Sequence, residues 1–183
     1  MTEPIVNSWN SVKAGLVMVA VLVVLGLSAG RAMAEELPPL AMAEARIGQG
    51  LALGGGSGES TWRFSPLSIS ALASLAIQTQ PQVSVFGGLV FEGGNRAGIG
   101  ATLGIRLNPR AGKTRVSASG IVMGAPFVAY GASVGLGRCH GVSGGMGICT
   151  DIEATVFALG SDVPDGRIAT QVQAVLGIAI DVM

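Results

Sequence analysis

One short stretch of the chain, residues 138–151, contains most of the side chains that could do chemistry. It reads RCHGVSGGMGICTD and includes the single histidine, His140, with Ser143 and Asp151 nearby. A serine, a histidine and an acid are the components of a hydrolase triad, but the triad needs a rigid scaffold that holds them within hydrogen-bond reach. The glycine-rich stretch predicts a connector between strands rather than a scaffold, so we predict that the chain is not an enzyme.

The two cysteines, Cys139 and Cys149, belong to the same stretch. In an exported protein such a pair predicts a local disulfide. The alternative is a metal site formed by both cysteines and His140, but this set has neither a recognisable zinc spacing nor a fourth ligand. The glycines of GGGSG (54–58) could suggest a phosphate-binding loop, yet no lysine follows them. We therefore predict a disulfide, no metal and no cofactor.

The N-terminal region predicts export. Residues 13–30, KAGLVMVAVLVVLGLSAG, form an apolar run behind one positive charge, and Ala32-Met33-Ala34 fits the small-residue rule for signal peptidase. We predict a signal peptide at 1–34, a leader at 35–42 and a barrel domain at 43–183. The alternative is an uncleaved anchor, although the run is at the short limit for spanning a bilayer.

The composition points to contact with lipid. Charged residues make up only 12% of the chain and hydrophobic residues 49%, and the formal net charge is zero. This charged fraction is about half the usual value for a soluble domain. The chain has no basic surface that would favour nucleic acid, so we predict no nucleic-acid partner.

The mature chain shows a period of two rather than the helical period of 3.6. Apolar residues alternate with small or polar ones in short runs that glycine, proline and asparagine separate. We predict an all-β chain of eight strands at 43–53, 67–78, 83–91, 96–107, 115–123, 127–138, 151–159 and 168–183.

The character of the two faces decides between a soluble sheet and a membrane barrel. The second face carries mostly glycine, serine, alanine, threonine and glutamine, which suit the narrow interior of an eight-stranded barrel better than a solvated surface. The apolar face then points outward, where tilted strands of about 9 to 11 residues span the hydrocarbon layer. We predict a closed antiparallel up-and-down transmembrane β-barrel whose lipid-facing residues include Ile99, Leu103, Ile105, Val134, Leu136, Leu176, Ile178 and Ile180.

Several charges fall on the lumen face of this barrel. Buried charges of one sign would be very unfavourable, so the lumen should hold arginines paired with carboxylates that plug it. The predicted lumen charge network consists of Glu44, Arg46, Arg96, Arg106, Arg115, Glu153 and Asp181.

With its alternating strands, N-terminal signal and final strand reaching the last residues, the chain resembles the small eight-stranded outer-membrane barrels of Gram-negative bacteria. The resemblance implies an outer-membrane location, contact with membrane lipid and envelope-protein partners bound through the loops. Three function classes follow: a structural or interaction role in the cell envelope, a narrow porin-like channel for small solutes, or a soluble secreted barrel that binds an apolar ligand.

Overall fold

The computed structural model describes residues 40–54, 61–79, 82–94, 97–108, 114–161 and 168–182. The predicted signal peptide, most of the leader and Arg96 lie outside these residues. Strands dominate the described part of the chain, and the period-two pattern explains why, because successive side chains of a strand point to opposite faces. The strands are β1 (Ala41–Gly54), β2 (Thr61–Phe64), β3 (Leu67–Thr79), β4 (Gln82–Gly93), β5 (Gly98–Asn108), β6 (Thr114–Ala125), β7 (Ala129–Ser143), β8 (Met146–Leu159) and β9 (Ala169–Asp181).

Two of these nine elements, β2 and β3, act as one strand with a bulge. Both pair antiparallel with the same edge of β1, where Leu51 faces Phe64 and Gly48 faces Ser68. Between these two pairs β1 advances by three residues and its partner by four, so the partner strand contains one extra residue, which forms the bulge. Pro66 lies there, where a missing amide hydrogen does no harm. The barrel consequently has eight strands.

The sheet closes because β1 also pairs with β9. Each remaining strand pairs antiparallel with its neighbours in sequence, which gives an up-and-down order. Following paired residues once around the sheet from Met42 leads back to β1 at Ala52, a stagger of 52 − 42 = 10 residues. Such a stagger tilts the strands against the barrel axis. The predicted closed antiparallel barrel of eight strands is confirmed.

The prediction of a connector at 138–150 is wrong. β7 and β8 continue through this stretch as a hairpin, joined by Gly144 and Gly145 with φ values of 59° and 75°. A two-residue turn with both φ values positive matches the twist of the flanking strands, and glycine adopts it without strain. The glycines that suggested a loop therefore form a tight turn.

Because β7 and β8 are joined by a two-residue turn, the connections differ in length between the two ends of the barrel. The end where β1 begins, called the turn end, carries the connections at 80–81, 109–113 and 144–145. The opposite end, called the loop end, carries those at 55–60, 94–97, 126–128 and 160–168. The longest connection therefore lies at the loop end, opposite the end where β1 begins.

The faces of the barrel invert the arrangement of a soluble protein. The described interior contains buried charges such as Arg106 and Glu44, whereas large apolar side chains such as Leu103 and Val134 are exposed on the outside. Within the part of the chain that the structure describes, no helix is long and apolar enough to cross a membrane.

Candidate functional site

The predicted lipid-facing residues all point away from the lumen, because they occupy the outward positions of β5, β7 and β9. Leu176 is half-buried and the other seven are exposed. Outward apolar side chains on the other strands extend this row around the barrel. The surface they form, called the apolar belt, includes Ile47, Ile69, Leu89, Leu103, Val122, Val134, Ile152 and Val172.

The lumen holds a cluster of ion pairs around Glu44. Arg106 Nη1 donates to Glu44 Oε2 at 2.9 Å, and Arg115 Nη2 donates to Glu44 Oε1 at 2.8 Å. Arg46 Nε lies 3.6 Å from the same Oε1. One carboxylate on β1 thus binds guanidinium groups from β5 and β6, across the width of the lumen.

Asp151 and Glu153 on β8 complete this cluster. Arg115 Nε donates to Asp151 Oδ1 at 2.7 Å, and Arg115 Nη2 also binds the other carboxylate oxygen of Asp151, so this pair is bidentate. Arg46 Nη2 donates to Glu153 Oε2 at 2.8 Å, and Ser133 Oγ donates to Glu153 Oε1 at 2.6 Å. The guanidinium fork matches the geometry of a carboxylate, which makes these contacts directional as well as charged.

The six residues of this charged cluster balance to zero formal charge, with three arginines and three carboxylates. Their side chains are largely withdrawn from water; those of Arg106 and Glu44 are each 2% exposed. A buried charge that loses its partner is strongly destabilising, so these groups depend on one another. The charged cluster consists of Glu44, Arg46, Arg106, Arg115, Asp151 and Glu153.

Neighbouring residues shape the space around the charged cluster. A side chain at Gly137 would collide with the Asp151 carboxylate, so glycine at this position makes room for the pair with Arg115. Arg106 also lies over the Phe86 ring, with its guanidinium carbon 4.8 Å from the ring centroid, in the range of a cation–π contact. The ion pairs are therefore held by packing as well as by charge.

The disulfide lies next to the charged cluster, toward the turn end. Cys139 and Cys149 are directly opposite each other on β7 and β8 and are bonded, so the predicted disulfide is confirmed. Cys149 is fully buried and precedes Asp151 by two residues on the same lumen face. The bond ties together the two strands of the hairpin next to Asp151, a residue of β8 that belongs to the charged cluster.

A second polar group occupies the lumen nearer the loop end. Gln173 Nε2 donates to Ser65 Oγ and to the Pro66 carbonyl oxygen, each at 3.0 Å, and Gln171 Nε2 donates to Glu92 Oε1 at 3.3 Å. The bulge between β2 and β3 thus supplies polar partners to β9. Between this group and the charged cluster lies a small cavity lined by both polar and apolar side chains, with room for about two water molecules.

Beside this group at the loop end, the lumen is filled by an apolar cluster. It packs side chains from β4, β6, β7 and β8, and Met123 and Ala129 are fully buried. The members of the apolar cluster are Val90, Ile121, Met123, Ala129 and Phe157. The cavity is therefore blocked toward the turn end by the charged cluster and toward the loop end by the apolar cluster and the neighbouring polar group.

The structure brings together five of the residues predicted for the lumen charge network, namely Glu44, Arg46, Arg106, Arg115 and Glu153. It differs for Asp181, which lies exposed at the end of β9 beside the turn, with its amide donating to the Gly145 carbonyl oxygen at 2.7 Å. A residue on the lumen-facing side of a strand is therefore not buried when it lies at the rim of the barrel.

The sequence reasoning missed Asp151 as a member of the charged cluster. Asp151 shares its strand face with Glu153, two residues further along, and this signal was available in the sequence. Asp151 points into the lumen, whereas His140 occupies an outward position of β7, so the two lie on opposite faces of the hairpin. Ser143 has no described side chain.

The comparisons with known proteins add little to this description. No protein-family model matches the sequence, and no curated protein matches it. Among solved structures, the chain is similar to the crystal structure of Neisserial surface protein A, with 11% identity, a TM-score of 0.45, and coverage of 77% of this chain and 96% of that chain. A likeness at this level carries no argument about function, and the strand pairing itself establishes the barrel.

Within the described residues, no group of three or more histidine, cysteine or acidic side chains could hold a metal ion. The lumen carboxylates instead bind arginines, and their oxygens are used in ion pairs and hydrogen bonds. What this arrangement does chemically is to neutralise buried charge and fill the barrel.

Proposed function

We propose that the chain is a non-enzymatic β-barrel of the bacterial outer membrane with a structural or interaction role in the cell envelope. In this role the barrel body is a rigid, closed plug, and the loops are the surfaces that contact envelope partners. The predicted export signal and the resemblance to Gram-negative barrels are consistent with this location.

A single observation carries the proposal: the apolar belt surrounds an interior that contains buried ion pairs. Leu103 is 67% exposed while Arg106, three residues along the same strand, is 2% exposed. In water this arrangement would be unfavourable, because exposed apolar surface on this scale promotes association. In a bilayer it is favourable, since lipid solvates the belt and closure leaves no unpaired sheet edge.

The strand lengths support the same environment. The long strands contain between 11 and 15 residues, and a tilted strand needs about 9 to 11 to cross the hydrocarbon layer. A soluble barrel that binds an apolar ligand fits the molecule poorly, because the charged cluster and the packed apolar cluster already fill the lumen and large apolar side chains lie exposed on the outside.

Membrane fractionation of cells expressing the full chain tests the location. We expect the protein in the outer-membrane fraction, resistant to high salt and carbonate and extracted by detergent. As a matched pair, Leu103→Asp on the belt should impair insertion, whereas Ser119→Asp, facing the lumen, should change the interior instead. Recovery of the wild-type protein in the soluble periplasm would overturn the proposal.

A narrow channel is the second candidate, and the water-sized cavity in the lumen favours it. The charged cluster opposes it, because ions would have to displace guanidinium groups that are hydrogen-bonded to lumen carboxylates. Planar-bilayer recordings separate the two candidates. We expect no sustained current from the wild-type protein, and steady single-channel conductance would favour the channel.

A further inference from the structure

A positively charged residue interrupts the apolar outer surface near the turn end of β7. Arg138 occupies an outward position, since Gly137 and Cys139 on either side of it face the lumen. It pairs across β6 with Thr114 and across β8 with Thr150. Two residues toward the loop end on each strand, the next outward row is Val116, Leu136 and Ile152, all apolar and exposed.

The row of Thr114, Arg138 and Thr150 therefore interrupts the apolar outer surface, which resumes toward the turn end at the exposed Val142 and Ile148. On the loop-end side of this row the outer surface is apolar, and within the row the Arg138 position lies between two threonine positions. An arginine facing lipid costs about 2–4 kcal/mol at the bilayer midplane but about 0–1 kcal/mol near the interface. The position of Arg138 is consistent with the interfacial layer, where phosphate groups lie.

The second basic side chain on this outer surface is His140, two residues further toward the turn end. It points to the same side as Arg138, and the two positions are separated by about 6.6 Å at about 3.3 Å per residue. Arg138 Nε and His140 Nε2 are both covered from solvent, and neither has a hydrogen-bond partner among the residues that the structure describes. Buried donors normally have partners, so each has capacity for an acceptor, which the side chain must turn outward to reach because an atom covered from solvent is also covered from lipid.

Among the described residues of β6, β7 and β8, no negative charge lies on this outer surface. The described outward positions of β6, β7 and β8 include no acidic residue, because Glu153 and Asp151 face the lumen. Protein carboxylates on these strands therefore do not satisfy the two basic groups. An anionic group from outside the chain fits both the charge and the hydrogen-bonding capacity.

We propose that Arg138 and His140, flanked by Thr114 and Thr150, form a binding site for the phosphate group of an anionic glycerophospholipid in the leaflet at the turn end. The proposal rests on the proposed membrane location. The phosphodiester oxygens accept hydrogen bonds from the guanidinium group and the imidazole, and the acyl chains lie along Val116, Leu136 and Ile152.

The test is native mass spectrometry of the full-length protein released from phosphatidylcholine bilayers that contain phosphatidylglycerol. We expect wild-type protein to retain phosphatidylglycerol selectively over phosphatidylcholine. Arg138→Gln with His140→Gln should reduce the retained phosphatidylglycerol about tenfold, as expected for losing at least one charge-assisted hydrogen bond. Arg138→Lys should keep part of the retention, because the charge stays and the planar fork is lost.

Arg63→Gln is the matched control, because Arg63 is an exposed arginine at the opposite end of the barrel. It makes the same charge change as Arg138→Gln and should leave retention unchanged. Added inorganic phosphate should not displace the lipid, and displacement by it would indicate a free-phosphate site instead. Equal retention by wild type and the double variant, or equal loss in Arg63→Gln, overturns the lipid site.

The two proposals fail separately in this experiment. Flotation of the reconstituted vesicles reports whether the protein is inserted at all. A protein that does not float with the vesicles contradicts the membrane location and the lipid site together. A protein that floats but shows no preference for phosphatidylglycerol contradicts the lipid site alone.

Discussion

The charged cluster and the apolar cluster fill the same lumen by different physical means. Around Glu44, three arginines and three carboxylates from β1, β5, β6 and β8 bind one another through directional contacts. Around Met123, five apolar side chains pack without any directional requirement. The charged cluster tolerates few changes because each charge needs its partner, whereas the apolar cluster should respond to changes in volume.

The largest effect is expected from Glu44→Gln. This substitution leaves Arg106 and Arg115 with reduced compensation in a buried site, so we expect a loss of about 3–5 kcal/mol in the free energy of unfolding. The measurement is urea unfolding of the protein in lipid vesicles.

Glu153→Gln serves as the comparison for Glu44→Gln. The Glu153 side chain is 21% exposed and forms an ion pair with Arg46, so the loss of its charge should cost clearly less. Equal losses in the two variants would contradict the central role of Glu44.

An intermediate effect is expected in the apolar cluster. Met123→Ala removes a fully buried side chain and should cost about 2–3 kcal/mol through lost burial and the resulting cavity. Met123→Leu roughly conserves volume and should cost less than about 1.5 kcal/mol. Unfolding in the same vesicles checks both values, and a larger loss for Met123→Leu than for Met123→Ala would contradict packing as the cause.

Gly137→Ala tests how closely the charged cluster is packed. The new methyl group would collide with Asp151 and with the Thr150 carbonyl, so we expect a loss of about 1–3 kcal/mol from overpacking. Gly120→Ala is the matched control, because a methyl group there meets nothing within 4 Å. Equal stability of the two variants would show that the lumen adapts to the added group.

The smallest effect is expected from Ser133→Ala. It removes the 2.6 Å hydrogen bond to Glu153 and should cost about 1 kcal/mol, since Glu153 keeps its pair with Arg46 and some contact with water. A loss as large as that of Glu44→Gln would mean that the cluster depends on Ser133 in a way its contacts do not indicate.

The sequence reasoning succeeded where local pattern was enough. Alternation in β5 assigned Leu103 outward and Arg106 inward, because neighbouring side chains of a strand face opposite sides. It failed at the hairpin of β7 and β8, since glycine is common both in loops and in turns with positive φ. The bulge at Ser65 and Pro66 was also missed, because a bulge is defined by the register of two strands and not by one strand.

The sequence predicted that arginines and carboxylates pair in the lumen, but not which arginine binds which carboxylate. Arg115 binds Asp151 and Glu44, which are 36 and 71 residues away along the chain. Which carboxylate faces which arginine depends on the ten-residue stagger of the closed sheet, and that stagger depends on the pairing of all the strands together.

The sequence by itself determined two surfaces of opposite character, because the alternation of side chains on a strand is a local property of the backbone. It also determined that the lumen would contain both signs of charge. The tertiary structure alone decided which charges meet, why Asp181 is at the rim while Asp151 is buried, and how Gly144 and Gly145 turn the chain. The physical reason is that a side chain's partner and burial depend on closure and register, which join residues that are distant in sequence.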